Sequence, residues 1–79
     1  MDRSKFILYG RPECHLCDTM LDALKQHPAS AHHDIVVVDI DGDPELQAKF
    51  GGRIPVLFLG ENCLCDYFFD PESLPSSSV

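Results

Sequence analysis

The sequence predicts a small α/β domain with a four-stranded mixed sheet, in the order strand, helix, strand, helix and hairpin. Two observations predict it: short apolar runs that end at Gly or Pro, and a helical apolar period between the first two runs. At 79 residues the chain has room for one domain with a thin core. We expect residues 1–74 to form this domain and residues 75–79 to be a flexible tail.

The first strand and the first helix follow each other near the N-terminus. Phe6-Ile7-Leu8-Tyr9 is an apolar run closed by Gly10-Arg11-Pro12, which is typical of a buried strand that ends in a turn. From Cys14 to about His27, apolar residues recur every three to four positions, as a one-sided helix requires. They are Cys17, Met20, Leu21 and Leu24. Pro28 ends this helix.

The second strand and the second helix have equally local signals. Ile35-Val36-Val37-Val38 is a continuous β-branched run, and such strands are usually covered on both faces, as in parallel sheets. We therefore expect a buried strand parallel to the first, with the first helix crossing one face of the sheet. Asp43 as N-cap, followed by Pro44, predicts a second helix that runs to about Phe50.

The C-terminal third of the sequence predicts a hairpin followed by one short helical turn. Val56-Leu57-Phe58-Leu59 reaches a turn at Gly60-Glu61-Asn62, and a second apolar segment follows from Cys63 to Phe69. Asp70-Pro71-Glu72 can begin a helical turn, but Pro75 ends it almost at once. The last helix is therefore expected to be truncated, which leaves one sheet face poorly covered.

Composition and charge exclude several classes of function. The formal net charge of -7 and the pI near 4.7 argue against a nucleic-acid partner. No apolar stretch approaches the length of a membrane span, and the polar start of the chain argues against a signal peptide. We expect a cytoplasmic monomer. Thiols are kept reduced in that compartment, so cysteines at motif spacing indicate redox chemistry or metal binding.

The pair Cys14-His15-Leu16-Cys17 carries the predicted chemistry. At the start of a helix, the Cys14 sulfur lies beside unpaired backbone N–H groups and the positive end of the helix dipole, which favour a thiolate. Cys17 lies three residues later, beside Cys14 and one turn deeper. This spacing predicts a dithiol oxidoreductase in which Cys14 attacks a disulfide and Cys17 resolves the mixed disulfide. The Cys14-Cys17 disulfide is then reduced by another thiol.

Two neighbours of the pair are candidates for tuning it. A protonated His15 would stabilise a thiolate, although Glu13 and Asp18 oppose this effect, and a solvent-facing helix residue is the alternative. Arg11 could offset those acids or hold a substrate carboxylate.

Ile54-Pro55 opens the third strand, where a proline removes a ladder donor and marks an edge, a bulge or a cis bond. Together with the cysteine pair after a strand, Ile54-Pro55-Val56 resembles the glutaredoxin branch of the thioredoxin-like fold. The likeness extends over nearly the whole chain and is strongest to a small bacterial glutaredoxin-like family of uncertain function. The resemblance implies a minimal thioredoxin-like fold, a cis Pro55 against the cysteine pair, and an Ile54 backbone free to pair with a substrate.

One segment departs from the resemblance. Glutaredoxins that use glutathione are similar to one another in a Gly-Gly turn, followed by a small polar residue and Asp, where this chain has Leu64-Cys65-Asp66-Tyr67. Side chains and a negative charge replace glycines that would let backbone N–H groups approach the glutathione carboxylate. The expected partners are therefore a protein or small-molecule disulfide and a thiol reductant, of which glutathione is one candidate. No other cofactor is expected.

Cys63 and Cys65 leave alternatives open. Two apart in a strand, they are expected to point to the same face, as small buried hydrophobes, a second redox pair or metal ligands. With Cys14 and Cys17 they have the ligand count of a structural zinc module. A further alternative is a catalytically silent interaction domain that uses the uncovered sheet face or the edge at Ile54 and Pro55.

Overall fold

A computed structural model describes residues 5–74, so the predicted tail at 75–79 lies outside the described residues. The strands are β1 Phe6–Gly10, β2 Ile35–Asp39, β3 Val56–Leu59 and β4 Asn62–Asp66. The helices are α1 His15–Gln26 and α2 Pro44–Phe50. Short 3-10 helices span Pro28–His32, Ile40–Gly42 and Pro71–Ser73. The predicted order of elements and the truncated last helix are confirmed.

The four strands form one mixed sheet in the order β2-β1-β3-β4. β1 pairs in parallel with β2, from Phe6 opposite Ile35 to Gly10 opposite Asp39. β3 pairs antiparallel with β1 and with β4, and β3 and β4 form the predicted hairpin. A helical crossover is needed between parallel neighbours, and α1 supplies it.

One helix packs against each face of the sheet, and the side chains along each strand alternate between the two faces. On the α1 face, the buried core joins the strands to the helix and to the last described residue; its members are Phe6, Leu8, Met20, Leu24, Ala29, Leu57 and Leu74. On the α2 face, the rings of Tyr9, Phe50 and Phe58 pack together, with centroids 4.7 to 5.8 Å apart.

Both helices begin at residues whose side chains accept backbone hydrogen bonds. The Sγ atom of Cys14 caps α1, and the Asp43 carboxylate caps α2 by accepting from the N–H groups of Glu45 at 3.0 Å and Leu46 at 3.3 Å. An N-cap satisfies donors that have no partner inside the helix, so these residues fix where the helices start. Within residues 5–74, no helix is long and apolar enough to cross a membrane.

The prediction that β2 is covered on both faces is wrong. β2 is an edge strand, and Val37 on the α1 face is 58% exposed. The cause is the sheet order: β3 adds to the far side of β1, so β1 alone of the parallel pair lies inside the sheet. A continuous apolar run therefore marked the edge of this sheet rather than its centre.

The predicted second hairpin segment is also shorter than expected. β4 ends at Asp66 because Tyr67 adopts a left-handed φ of 66° and its N–H donates to the Pro55 carbonyl at 2.7 Å. Phe68 then lies 69% exposed beyond the sheet. The chain leaves the β3–β4 ladder at this point.

The expectation that Cys63 and Cys65 share a face is wrong as well. A bulge places Cys65 opposite Leu57 and Cys63 opposite Phe58, so Leu64 is an extra residue in β4. Cys65 is half-buried against the α1-face core, whereas Cys63 is exposed. An inserted residue breaks the strict alternation of a strand, which explains the separation.

Candidate active site

Cys14 is the half-buried cysteine at the N-terminus of α1. Its sulfur accepts a hydrogen bond from the backbone N–H of Cys17 at 3.2 Å, and its carbonyl accepts from Asp18 at 3.1 Å. The sulfur therefore lies among the N–H groups of the first helical turn, at the positive end of the helix dipole. This position suits a sulfur that carries negative charge.

Cys17 lies behind Cys14 and is only 6% exposed. The pKa of the Cys17 thiol is raised from 9.0 to about 11, chiefly by burial. A hydrogen bond with Cys14 and the negative charges of Cys14 and Asp18 contribute to this rise, while the backbone N–H of Arg11 acts in the opposite direction. Cys17 is therefore a protonated thiol at neutral pH, within hydrogen-bonding reach of Cys14. All four cysteines, each within the described region, are free thiols.

A depression of about 520 Å³ opens over Cys14. Its wall is formed by residues from three parts of the chain: Arg11, Pro12, Glu13, Cys14, Asp41 and Ile54. Ligand pockets in proteins have volumes of roughly 300 to 1,000 Å³, so the depression is of a size to receive a small molecule or a peptide segment. Ile54 is half-buried here and lies two residues before Val56, which forms the last β1–β3 pair with Tyr9.

Pro55 follows Ile54 in the chain but is not among the residues that line the depression. The Ile54-Pro55 peptide bond is cis, and the Pro55 side chain is fully buried. Its carbonyl accepts the hydrogen bond from Tyr67, which joins the start of β3 to the end of β4. Ile54 rather than Pro55 therefore faces the space above Cys14.

Arg11 has a partner that sequence reasoning missed. Its guanidinium lies 2.8 Å from the carboxylate of Asp41, and both side chains are about half exposed. Asp41 is held by a hydrogen bond from its N–H to Asp39 and by one from Gln47 to its carbonyl. No pattern in the sequence joins residues thirty positions apart, so only the sheet brings this pair together. Exposed ion pairs of this kind contribute little to stability.

His15 is exposed on the first turn of α1. The charges that act on the Cys17 thiol come from Cys14 and Asp18. A tuning role for His15 stays a prediction.

Cys63 and Cys65, the two late cysteines, lie on β4 and not on α1 with the Cys14–Cys17 pair. Burial raises the pKa of the Cys65 thiol, which is hydrogen-bonded to the Asp70 backbone and the Ser73 hydroxyl. Cys63 lies within reach of the Arg53 guanidinium, which also forms an ion pair with Asp66 at 2.7 Å. Among residues 5–74, no three His, Cys, Asp or Glu side chains are grouped so as to hold a metal ion. The arrangement therefore gives no support to a four-cysteine zinc site.

A strand-helix-strand unit, a second helix and a hairpin, with two cysteines at the start of the first helix, define the thioredoxin-like class of domain. Within that class, the chain belongs to the family described as glutaredoxin-like domain (DUF836), whose model matches residues 5–77. The predicted fold class and the predicted family are both confirmed.

Solved structures with the same fold are known from two bacteria. Protein Ne2328 from Nitrosomonas europaea, solved by NMR, superposes with a TM-score of 0.79 at 33% identity, covering 92% of this chain and 88% of that one. Protein XcR50 from X. campestris, solved by X-ray diffraction, gives a TM-score of 0.70 at 34% identity, covering 86% of this chain and 87% of that one.

Similar sequences are known from mycobacteria. Uncharacterized proteins of Mycobacterium tuberculosis and Mycobacterium bovis are 31% identical over 64 residues, which is 75% of this chain. The match spans 66% of the length of these relatives. Because these relatives are uncharacterized, the similarity supports the family and says nothing about an activity.

Proposed function

We propose that this protein is a thiol-disulfide oxidoreductase that works through a dithiol mechanism. The observation that carries the proposal is that two neighbouring sulfurs differ in exposure and in hydrogen bonding. Cys14 is partly exposed and accepts a backbone N–H, whereas Cys17 is buried and keeps its proton because its pKa is about 11. An attacking sulfur and a sulfur held in reserve are what a two-step exchange needs.

The cycle has three balanced steps. The Cys14 thiolate attacks one sulfur of a substrate disulfide, forming a Cys14–substrate bond while the other substrate sulfur leaves as a thiolate. Cys17 then gives its proton to solvent and attacks the Cys14 sulfur, which breaks the Cys14–substrate bond, forms the Cys14–Cys17 disulfide and releases the second substrate thiolate. An external thiol pair reduces this disulfide, gives up two electrons and becomes oxidised itself.

The depression over Cys14 supports a particular way to receive the substrate. Ile54 lies two residues beyond the last β1–β3 pair and lines the same depression as Cys14, so an extended peptide can pair with its backbone as an added strand. Arg11 is the cation of the wall and can exchange Asp41 for a carboxylate of the substrate.

The region around Tyr67 disfavours specificity for glutathione. At the end of β4, the Asp66 carboxylate is paired with Arg53, and Tyr67 places a large side chain next to the Pro55 carbonyl. The proposed partners are therefore a protein or small-molecule disulfide and a thiol reductant, in a reducing compartment such as the cytoplasm. Glutathione remains a candidate reductant.

Turnover of a small disulfide tests the proposal. Purified protein should accelerate the reduction of cystine or of bis(2-hydroxyethyl) disulfide by a thiol buffer. Cys14→Ser should reduce the rate to background because the remaining sulfur of the pair, Cys17, is buried and protonated, whereas Cys63→Ser should leave the rate unchanged. Equal rates with the wild type and Cys14→Ser would contradict the proposal.

One observation favours a second candidate, an interaction domain without catalysis. β2 is an unpaired edge with Val37 58% exposed, beside a cavity of about 240 Å³ that Val37, Val38 and Leu21 help to line. Apolar surface at a sheet edge is a common place for a partner segment to add. This function would be favoured instead if the folded protein turned over no disulfide but bound a partner segment, and if Val37→Lys abolished that binding.

A further inference from the structure

We propose that Gly10 is a positioning residue for Cys17: the missing side chain at the end of β1 creates the space in which the resolving sulfur lies. This inference rests on the proposed function, since it concerns the second step of that cycle. Gly10 is buried, is the last residue of β1, and directly precedes Arg11.

The evidence is a close approach between two elements. A Cβ atom added at Gly10 would lie 2.6 Å from the Sγ atom of Cys17 and 3.1 Å from its Cβ atom. Real Cβ atoms essentially never approach another heavy atom within 3.0 Å. The Cys17 thiol therefore occupies the volume that any other residue at position 10 would fill.

The same sulfur position serves the chemistry. Next to Gly10, the Cys17 thiol is in contact with the Arg11 backbone N–H and within hydrogen-bonding reach of Cys14. A shift of this sulfur changes its distance to Cys14, and reactions of this kind are sensitive to displacements of about 1 Å. The absence of a side chain at Gly10 thus leaves the resolving sulfur free to lie where it can attack Cys14.

An alanine at position 10 should move the sulfur without unfolding the protein. Sγ is the end of a side chain and can rotate about χ1 to another staggered position, and the 3.1 Å contact with Cβ needs a shift of only a few tenths of an ångström. The dithiol form can relieve the contact by this rotation. The disulfide form cannot, because its sulfur must stay bonded to Cys14.

The first test is the equilibrium of the Cys14–Cys17 disulfide with a dithiothreitol redox buffer. Gly10→Ala should make this disulfide about tenfold easier to reduce, which raises the reduction potential by about 30 mV for a two-electron couple. The matched control is Gly42→Ala, because a Cβ at Gly42 has nothing within 4 Å. Gly42→Ala should keep the wild-type potential, and an unchanged potential in Gly10→Ala would overturn the proposal.

The second test separates positioning from general damage. With Cys17 present, Gly10→Ala should slow the release of a thiol from a preformed Cys14 mixed disulfide about tenfold, since the attacking sulfur is misplaced. In a Cys17→Ala background, Gly10→Ala should leave the alkylation rate of Cys14 by iodoacetamide unchanged. Equal slowing of Cys14 in that background would show a general distortion of α1 and would overturn the proposal.

A folding failure is covered by the same pair of variants. If Gly10→Ala alone does not fold, the double variant Gly10→Ala/Cys17→Ala should fold, because removal of the sulfur makes room for the new methyl group. A double variant that also fails to fold would overturn the proposal. The equilibrium measurement needs no substrate, so absence of turnover in the wild type would refute the proposed function and leave this inference separately testable.

Discussion

Cys14 and Cys17 are the same residue type three positions apart, yet their surroundings differ. Cys14 lies at the open end of α1 and accepts a backbone N–H, whereas Cys17 is 6% exposed behind it. Removal from water disfavours a charged thiolate, and so the buried sulfur keeps its proton. The different roles that the proposed dithiol cycle gives to Cys14 and Cys17 therefore rest on their different depth in the fold.

The pH dependence of Cys17 follows from this burial. Its pKa is about 11 in the folded protein against 9.0 for an ordinary thiol. In the reduced wild type, alkylation of Cys17 by iodoacetamide should rise about tenfold per pH unit up to that value, because only the thiolate reacts. Mass spectrometry of the alkylated peptides measures the reaction at each pH.

The urea-unfolded chain is the control, in which Cys17 should titrate near 9.0. A folded-state pKa above the unfolded one also means that the contribution of the neutral Cys17 thiol to stability is complete below pH 9 and is lost as the pH rises through about 11. A plateau of Cys17 alkylation below pH 9 in the folded protein would contradict this account.

The sequence was sufficient to find the two cysteines because a C-x-x-C spacing at the start of a helix is a local pattern. It was not sufficient for Gly10 or Asp41. Gly10 contacts Cys17 across the β1–α1 turn, and Asp41 reaches Arg11 from the end of a neighbouring strand. Both contacts depend on how the chain returns to the sheet, which no local pattern encodes.

At the scale of the elements, the end of β4 is where the backbone departs from regular structure. Tyr67 has a left-handed φ of 66°, a conformation that costs side-chain-bearing residues about 1 to 2 kcal/mol. The hydrogen bond from Tyr67 to Pro55 holds this turn against the start of β3. The strained backbone at Tyr67 is thus hydrogen-bonded to Pro55, the residue next to Ile54 in the wall of the depression over Cys14.

Glycine and alanine at position 67 should reveal this strain. Tyr67→Gly should be more stable than Tyr67→Ala by about 1 kcal/mol, because glycine adopts positive φ without a steric cost. Urea unfolding of the two variants measures the difference in free energy. Comparing them with each other removes the effect of losing the tyrosine ring.

Phe68 is the matched control, since it is exposed and has no positive φ. There the order should reverse, with Phe68→Ala more stable than Phe68→Gly by about 0.5 to 1 kcal/mol, because glycine loses more backbone entropy on folding. The same order of stability at both positions would contradict the strain at Tyr67.

Capped helices were predictable to within a residue, and sheet neighbours were not. Asp43 with Pro44 marked the start of α2, and Cys14 marked the start of α1. Both were predictable because an N-cap interacts with backbone N–H groups only two or three residues further along the chain. The exposure of Val37 and the early end of β4 depend on strand order and on a left-handed Tyr67. An apolar run indicates a strand, but it does not indicate which strand lies at the edge.

At the scale of the whole molecule, the four cysteines lie on two different elements, one pair at the start of α1 and the other on β4. Cys14 and Cys17 share the N-terminal end of α1, whereas Cys65 packs on the α1-face core and Cys63 is exposed near Arg53. A structural zinc module would need all four sulfurs around one ion. A redox domain needs only the first two.

Removal of the two late cysteines distinguishes these cases. The double variant Cys63→Ala/Cys65→Ala should stay folded without metal and should still form the Cys14–Cys17 disulfide, because neither late sulfur contacts the pair in the described fold. Circular dichroism, thiol counting and metal analysis on one sample measure all three properties. A variant that unfolds, from a wild type that contains stoichiometric zinc, would support the zinc module.

The central claim is that Cys14 is the attacking sulfur and Cys17 the resolving one. The most direct measurement is mass spectrometry of Cys17→Ser after incubation with a small disulfide at neutral pH. The account predicts a stable mixed disulfide on Cys14 in this variant, and in the wild type an intramolecular Cys14–Cys17 disulfide with no adduct. An adduct on Cys63 or Cys65 with Cys14 unmodified would contradict it.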